Sequence, residues 1–192
     1  MNPHVRKFQF IAPFYGLFFK PQVVGYSWVI GKHIPELNIA GCETVLDLGS
    51  GTGAFGRCWQ DLGYNVTAVD ASPAMVRLCL KNGLQCLEQD FLKGLTFPDD
   101  HFDIVVGAYV AHGLPVADRE KLYRESARVA KELVLFHDFG GRSRFSVSVI
   151  EKMEGSFYRE FIARAPGEME RFFRRVDVLP LSSWTCWYIC RP

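Results

Sequence analysis

Between Val45 and Gly53 the chain reads Val-Leu-Asp-Leu-Gly-Ser-Gly-Thr-Gly, and this stretch limits the fold more than any other. Val45 to Leu48 predict a short strand, apolar except for Asp47. Glycines at 49, 51 and 53 predict a turn that accepts positive φ and lets a ligand approach bare main chain. Ala54, Cys58 and Leu62 follow with helical spacing, which places a helix directly after the turn. The free N–H groups of that first turn favour partial negative charge.

Strand, glycine loop and helix in this order serve nucleotide, dinucleotide and S-adenosylmethionine sites alike. Asp47 narrows the choice, because a carboxylate in a buried strand needs hydrogen bonds and the N–H groups of the following loop are natural donors. A second predicted strand, Tyr64 to Asp70, also ends in an acid. Asp70 lies about twenty residues past the loop, on the ligand side of a doubly wound sheet, where a carboxylate accepts ribose hydroxyls. Ala71 and Ser72 then border the base, and Ser72 before Pro73 is placed to cap the helix Pro73 to Lys81. Leu84 to Phe91 predict strand three and its exit, with Asp90 and Phe91 at the end. His101 to Tyr109 predict strand four, and Glu132 to Asp138 strand five. Val176 to Leu179 and Trp184 to Cys190 succeed one another without a helix between them, which predicts an antiparallel closing pair. A helix is expected near Phe145 to Met153, and another starting near Pro166.

The string Val45 to Gly53 resembles the first motif of class I S-adenosylmethionine-dependent methyltransferases. The Asp90-Phe91 pair is similar to the family's third motif, and Phe102-Asp-Ile-Val-Val106 to its strand four. Ile11-Ala-Pro-Phe-Tyr15 resembles a segment of the quinone-biosynthesis-type branch, with Gly16 where that branch has Asp. The resemblance implies a doubly wound, Rossmann-like α/β fold: seven mostly parallel strands, an antiparallel last strand and helices on both faces. It implies S-adenosylmethionine as donor and S-adenosylhomocysteine as product. The cofactor residues it implies are Asp47, Gly49, Ser50, Gly51, Gly53, Asp70, Ala71, Asp90, Phe91 and Gly107, with Asp90 on the adenine amino group and Phe91 over the ring.

The donor's methyl is expected at the exit of strand four. Tyr15, Tyr109, His112 and His137 are the side chains expected near an acceptor. His112 leads as general base because neutral imidazole is available near pH 7, with Tyr109 and Tyr15 beside it. Asp138 is placed to orient His137 or to cap a turn.

Residues 1–40 are read as a flap of short helices, one of them around Val23 to His33, over a methyltransferase domain at 41–192. Pro13 and Gly16 break the apolar run after Arg6-Lys7, which argues against a signal peptide or a membrane span. Aromatic residues of the flap (Phe10, Phe14, Tyr15, Phe18, Phe19), with Phe139, Arg142, Phe145 and Tyr158, are expected to roof a small apolar or aromatic acceptor. A net charge of +1 offers no general attraction to nucleic acid or anionic membrane. The six cysteines form no Cys-x-x-Cys pair, so no metal site is expected; they fit reduced thiols of a cytoplasmic monomer or homodimer. Two rival functions share these features. Gly51-x-Gly53-x-x-Gly56 formally matches the dinucleotide fingerprint of an NAD(P)-dependent oxidoreductase, and a non-catalytic S-adenosylmethionine-binding protein would keep the same loop.

Overall fold

The computed structural model describes residues 3–140 and 157–192, with side chains from 16 to 140 and from 160 onward. One sheet of seven strands organises the chain: β1 (Thr44–Leu48), β2 (Asn65–Asp70), β3 (Gln85–Glu88), β4 (Phe102–Ala108), β5 (Ala130–Phe139), β6 (Arg175–Pro180) and β7 (Thr185–Arg191). Their spatial order is β3-β2-β1-β4-β5-β7-β6. β7 runs antiparallel between β5 and β6, and the β1, β2, β3, β4 and β5 pairings are all parallel. Strand order reverses between β1 and β4, so a crevice opens at their carboxyl ends.

Side-chain alternation along the strands builds two cores. Val45, Ile104, Leu133 and Leu135 face α1 (Pro3–His33), α2 (Ala54–Asp61) and α3 (Pro73–Lys81), through Ile30, Phe55, Trp59 and Cys79. Leu46, Leu48, Val105 and Phe136 face α4 (Val116–Val129) and α5 (Phe157–Met169), through Leu122, Phe161 and Met169.

Three elements differ from the sequence reading. The amino-terminal region forms one helix, α1, rather than several short ones, and Pro13 and Pro21 lie within it. Its packing on α2 and α3, with Ile30 fully buried, supplies what local propensity lacks. α5 does not begin at Pro166; it spans Phe157–Met169 and carries Pro166 in its last turns, with Phe161, Ala165 and Met169 inward at spacings of four. Ser72 makes no side-chain cap to α3; Asp70 instead accepts from the Ser72 N–H at 2.8 Å. The helix expected near Phe145 to Met153, and the roof residues Arg142, Phe145 and Tyr158, lie outside the residues whose side chains are described.

Candidate functional site

The turn after β1 is fixed from both sides. The Gly49 and Ser50 N–H groups both donate to the Val69 carbonyl at the end of β2, at 2.9 and 3.0 Å. Gly49 has φ of +70°, and a Cβ there would stand 2.9 Å from a Val110 methyl, so glycine is required. Gly51 meets open space, and its N–H donates to Asp70 Oδ2 at 2.8 Å. Gly53 and Gly107 do not line the cavity: Gly53 packs on Cys79 and Leu84, and Gly107 on the Leu48 carbonyl. Gly56 has a different role from a dinucleotide fingerprint. Its N–H donates to Asp47 Oδ2 at 2.9 Å, and a Cβ would fall 2.7 Å from that same oxygen. Bare backbone at 56 therefore lets α2 close onto the buried carboxylate.

A cavity of about 510 Å³ opens at the carboxyl ends of β1 and β4. Asp47, Gly49, Ser50, Gly51, Asp70, Ala71, Asp90 and Phe91 all line it, so eight of the ten sequence-expected cofactor residues meet there. The three acids differ in their surroundings. Asp47 is fully buried; Oδ2 is held by Gly56, while Oδ1 has no partner among the described residues. Burial pushes its carboxyl up to about 7, against the Gly56 hydrogen bond and with a contribution from the Asp70 charge. Asp70 accepts main-chain bonds on both oxygens, from Gly51 and from Ser72, yet burial still raises its pKa. Asp90 accepts from the Leu92 N–H at 3.0 Å and stands 3.4 Å from the exposed Lys93 ammonium.

Tyr109, His112 and Phe139, from the ends of β4 and β5, also line the cavity, with Trp184 from the approach to β7. Tyr109 sits at φ +55°, a conformation non-glycine residues seldom adopt. Its N–H donates to the His137 carbonyl at 2.8 Å, and its hydroxyl lies 3.3 Å from Thr185 Oγ1. His112 Nδ1 is 2.7 Å from Asp138 Oδ1, and Asp138 also accepts from the N–H groups of Ala111, His112 and Phe139. Asp138 thus orients His112, not His137. A carboxylate only accepts, so in neutral His112 Nδ1 carries the proton and Nε2 the lone pair. His137 belongs to the core: Trp187 Nε1 donates to its Nδ1 at 3.0 Å, and burial lowers its pKa to about 4. It is neutral near pH 7 and is not among the residues lining the cavity.

Among the described side chains of α1, Gln22 and Tyr26, one turn apart, reach the cavity. Tyr26 packs edge-on against Phe55 and His137, with ring centroids 5.0 and 5.2 Å away. Phe18 points to solvent instead, and neither it nor Phe19 lines the cavity; the side chains of Phe10, Phe14 and Tyr15 lie outside the described set. Arg119 escaped the sequence reading as well. It is fully buried, pairs both ways with Glu168 of α5 at 2.7 Å, and donates to the Leu114 carbonyl on the cavity wall. A basic residue at a helix start gives no pattern by which its burial is read, because its acid lies 49 residues away.

Comparison with known proteins agrees with this architecture. Residues 46–136 match the family model described as a methyltransferase domain. An uncharacterized methyltransferase of Bacillus subtilis (strain 168), YcgJ, is 34% identical over 94 residues, which cover 46% of this chain and 36% of that protein. The match thus spans about a third of the relative's length. Among solved structures, an S-adenosylmethionine-dependent methyltransferase from Aquifex aeolicus superposes with a TM-score of 0.66 at 20% identity, covering 84% of this chain and 88% of that one. The DhpI–SAM–HEP complex superposes with a TM-score of 0.70 at 17% identity, covering 98% and 96%. The fold is that of the class I methyltransferases. The match to the methyltransferase-domain model, residues 46–136, falls within this fold and spans a little under half of the chain.

Proposed function

We propose that the chain transfers a methyl group from S-adenosylmethionine to a small apolar or aromatic acceptor. One observation carries this reading: the unpartnered, buried Asp47 Oδ1 shares a single cavity with Asp70, Asp90 and the paired His112–Asp138. An orphaned carboxylate oxygen fits the ammonium of an amino-acid tail. Asp70 keeps lone pairs for two ribose hydroxyls, and Asp90 with Phe91 suits an adenine edge and face. The bound donor supplies an electrophilic methyl on a positively charged sulfur.

The protein's own groups then orient the acceptor and take its proton. Tyr26, Tyr109, Phe139 and Trp184 offer aromatic surface that holds an apolar molecule in place and excludes water. His112 Nε2 accepts the proton of the acceptor's nucleophilic atom as the new bond to carbon forms, and Asp138 stabilises the resulting imidazolium. Residues 1–40 act as the flap over this chamber, through Gln22 and Tyr26. The absence of a strong net charge supports a small-molecule acceptor rather than nucleic acid, and the reduced cysteines support a cytoplasmic chain.

The test is turnover. Incubation with methyl-labelled S-adenosylmethionine and a panel of phenols and quinols is expected to move label into one acceptor class and release S-adenosylhomocysteine. Product formation from NAD(P) with no label transfer overturns the reading.

Two expectations concern donor binding. Asp70→Ala loses about 1.5–3 kcal/mol of affinity for S-adenosylhomocysteine, the range for deleting a charged hydrogen-bond partner; titration calorimetry reads this directly. Affinity also falls as pH drops below about 7. Asp47 is raised toward neutrality in the free protein, and its protonated form must ionise before it pairs with an ammonium. Binding near pH 6 therefore releases a proton, measurable as a buffer-dependent heat, and Asp47→Asn abolishes that release.

A further inference from the structure

Helix α1 is apolar on two opposite faces. Val23, Tyr26 and Ile30 form the inner apolar face and pack in the core, and Gln22 beside them lines the cavity with Tyr26. On the other side, Leu17, Pro21, Val24 and Trp28 recur at spacings of four, three and four, which at 3.6 residues per turn is one continuous stripe. Among the described residues nothing covers it: Leu17 is 76% exposed, Val24 71% and Trp28 65%, with Phe18 at its margin 58% exposed. A helix that is apolar all round belongs in an interior, so this face lacks an environment in the isolated chain.

Charge identifies the environment. The first 35 residues hold Arg6, Lys7, Lys20 and Lys32 and not one Asp or Glu; the first acid is Glu36. The net charge of +1 conceals this asymmetry. Lys20 and Lys32 are exposed, Lys20 within the first turn of the stripe and Lys32 one turn past its end, and the Lys32 ammonium lies 5.3 Å from the Trp28 ring centroid. We propose that the outer face of α1 docks on the surface of an anionic phospholipid bilayer, with Leu17, Val24 and Trp28 entering the interface and the lysines on phosphate headgroups. Lysine beside tryptophan along an apolar stripe is the arrangement that suits the headgroup boundary. The helix lies on the bilayer and does not cross it; no described helix is long and apolar enough to span one. A second copy fits less well, since a two-fold contact on this face gathers Lys20 and Lys32 of both copies along one seam with no acid on the helix to offset them. The same helix walls the cavity from behind through Gln22 and Tyr26, so docking brings the chamber next to apolar molecules dissolved in lipid.

Sedimentation of the full chain with vesicles tests this independently of any donor or acceptor. With phosphatidylcholine–phosphatidylglycerol vesicles at low salt the chain is expected in the pellet; with phosphatidylcholine alone, or in high salt, it stays in the supernatant. Lys20→Gln with Lys32→Gln weakens partitioning about thirtyfold, from roughly fivefold per cation at an anionic surface. Val24→Ser with Trp28→Ser abolishes pelleting while the circular dichroism spectrum is unchanged, because both side chains are exposed. A folded wild-type chain that stays in the supernatant with anionic vesicles overturns the proposal. So does sedimentation velocity showing a wild-type dimer that the Val24→Ser, Trp28→Ser variant breaks, which assigns the face to a second copy.

Discussion

Replacing His112 by Ala is expected to lower turnover about 10²–10⁴-fold, the usual contribution of a positioned general base, while S-adenosylhomocysteine still binds. The basis is geometric. His112 lines the cavity at the β4 exit, and its Nδ1 is held 2.7 Å from a buried Asp138 that is itself fixed by three main-chain donors. That arrangement sets the tautomer as well as the ring position, leaving the basic lone pair on Nε2. Asp138→Asn is expected to reduce turnover too, since an amide can donate to Nδ1 and shift the ring's proton to Nε2. Asp47, Asp70 and Asp90, the acids proposed to hold the donor, come from β1, the end of β2 and the exit of β3 rather than from β4 or β5, so donor affinity is the control. Full turnover in His112→Ala, with donor binding intact, reduces His112 to a packing residue.

The largest effect on stability is expected from Arg119→Ala, a loss of about 3–5 kcal/mol in chemical denaturation, the range for removing one partner of a buried ion pair. Arg119 joins three parts of the molecule: its own helix α4, Glu168 of α5 and the Leu114 carbonyl on the cavity wall. Truncation leaves Glu168 buried and unpaired, and leaves that carbonyl without its donor. Arg119→Met combined with Glu168→Leu is expected to recover much of the loss, because two apolar side chains need no partners there. A single-variant loss no larger than that of an exposed residue would show that water reaches Glu168 freely.

What the sequence discloses and conceals follows from the range of the interactions. The glycine loop, the strand-end acids and the parallel core were legible because each is a local pattern: short apolar runs, glycine where φ is positive, acid at a strand exit. Contacts across many residues were not. Local order offers Asp138 its neighbour His137 or a turn to cap; it turns to His112, 26 residues earlier, and also accepts from the N–H groups of the Ala111–His112 turn, because the sheet sets the ends of β4 and β5 side by side. Alternation along β5 sends His137 to the other face, where Trp187 of β7 occupies its Nδ1. Tyr109 at positive φ has no sequence signature, since nothing in the residue type announces it. Pro13 and Gly16 interrupt the apolar run and local propensity divides the region into short helices, but packing on α2 and α3 overrides that division. The roof expected of Phe10, Phe14, Tyr15, Phe18 and Phe19 is not formed by Phe18 or Phe19, the two whose side chains are described; Tyr26 lines the cavity instead, and Trp28 faces outward.

The most direct measurement is calorimetric titration of the full chain with S-adenosylhomocysteine and, separately, with NAD. Saturable binding of S-adenosylhomocysteine, weakened by Asp70→Ala, with no saturable response to NAD, is the expected result. Saturable NAD binding with no response to S-adenosylhomocysteine would contradict the assignment of this cavity.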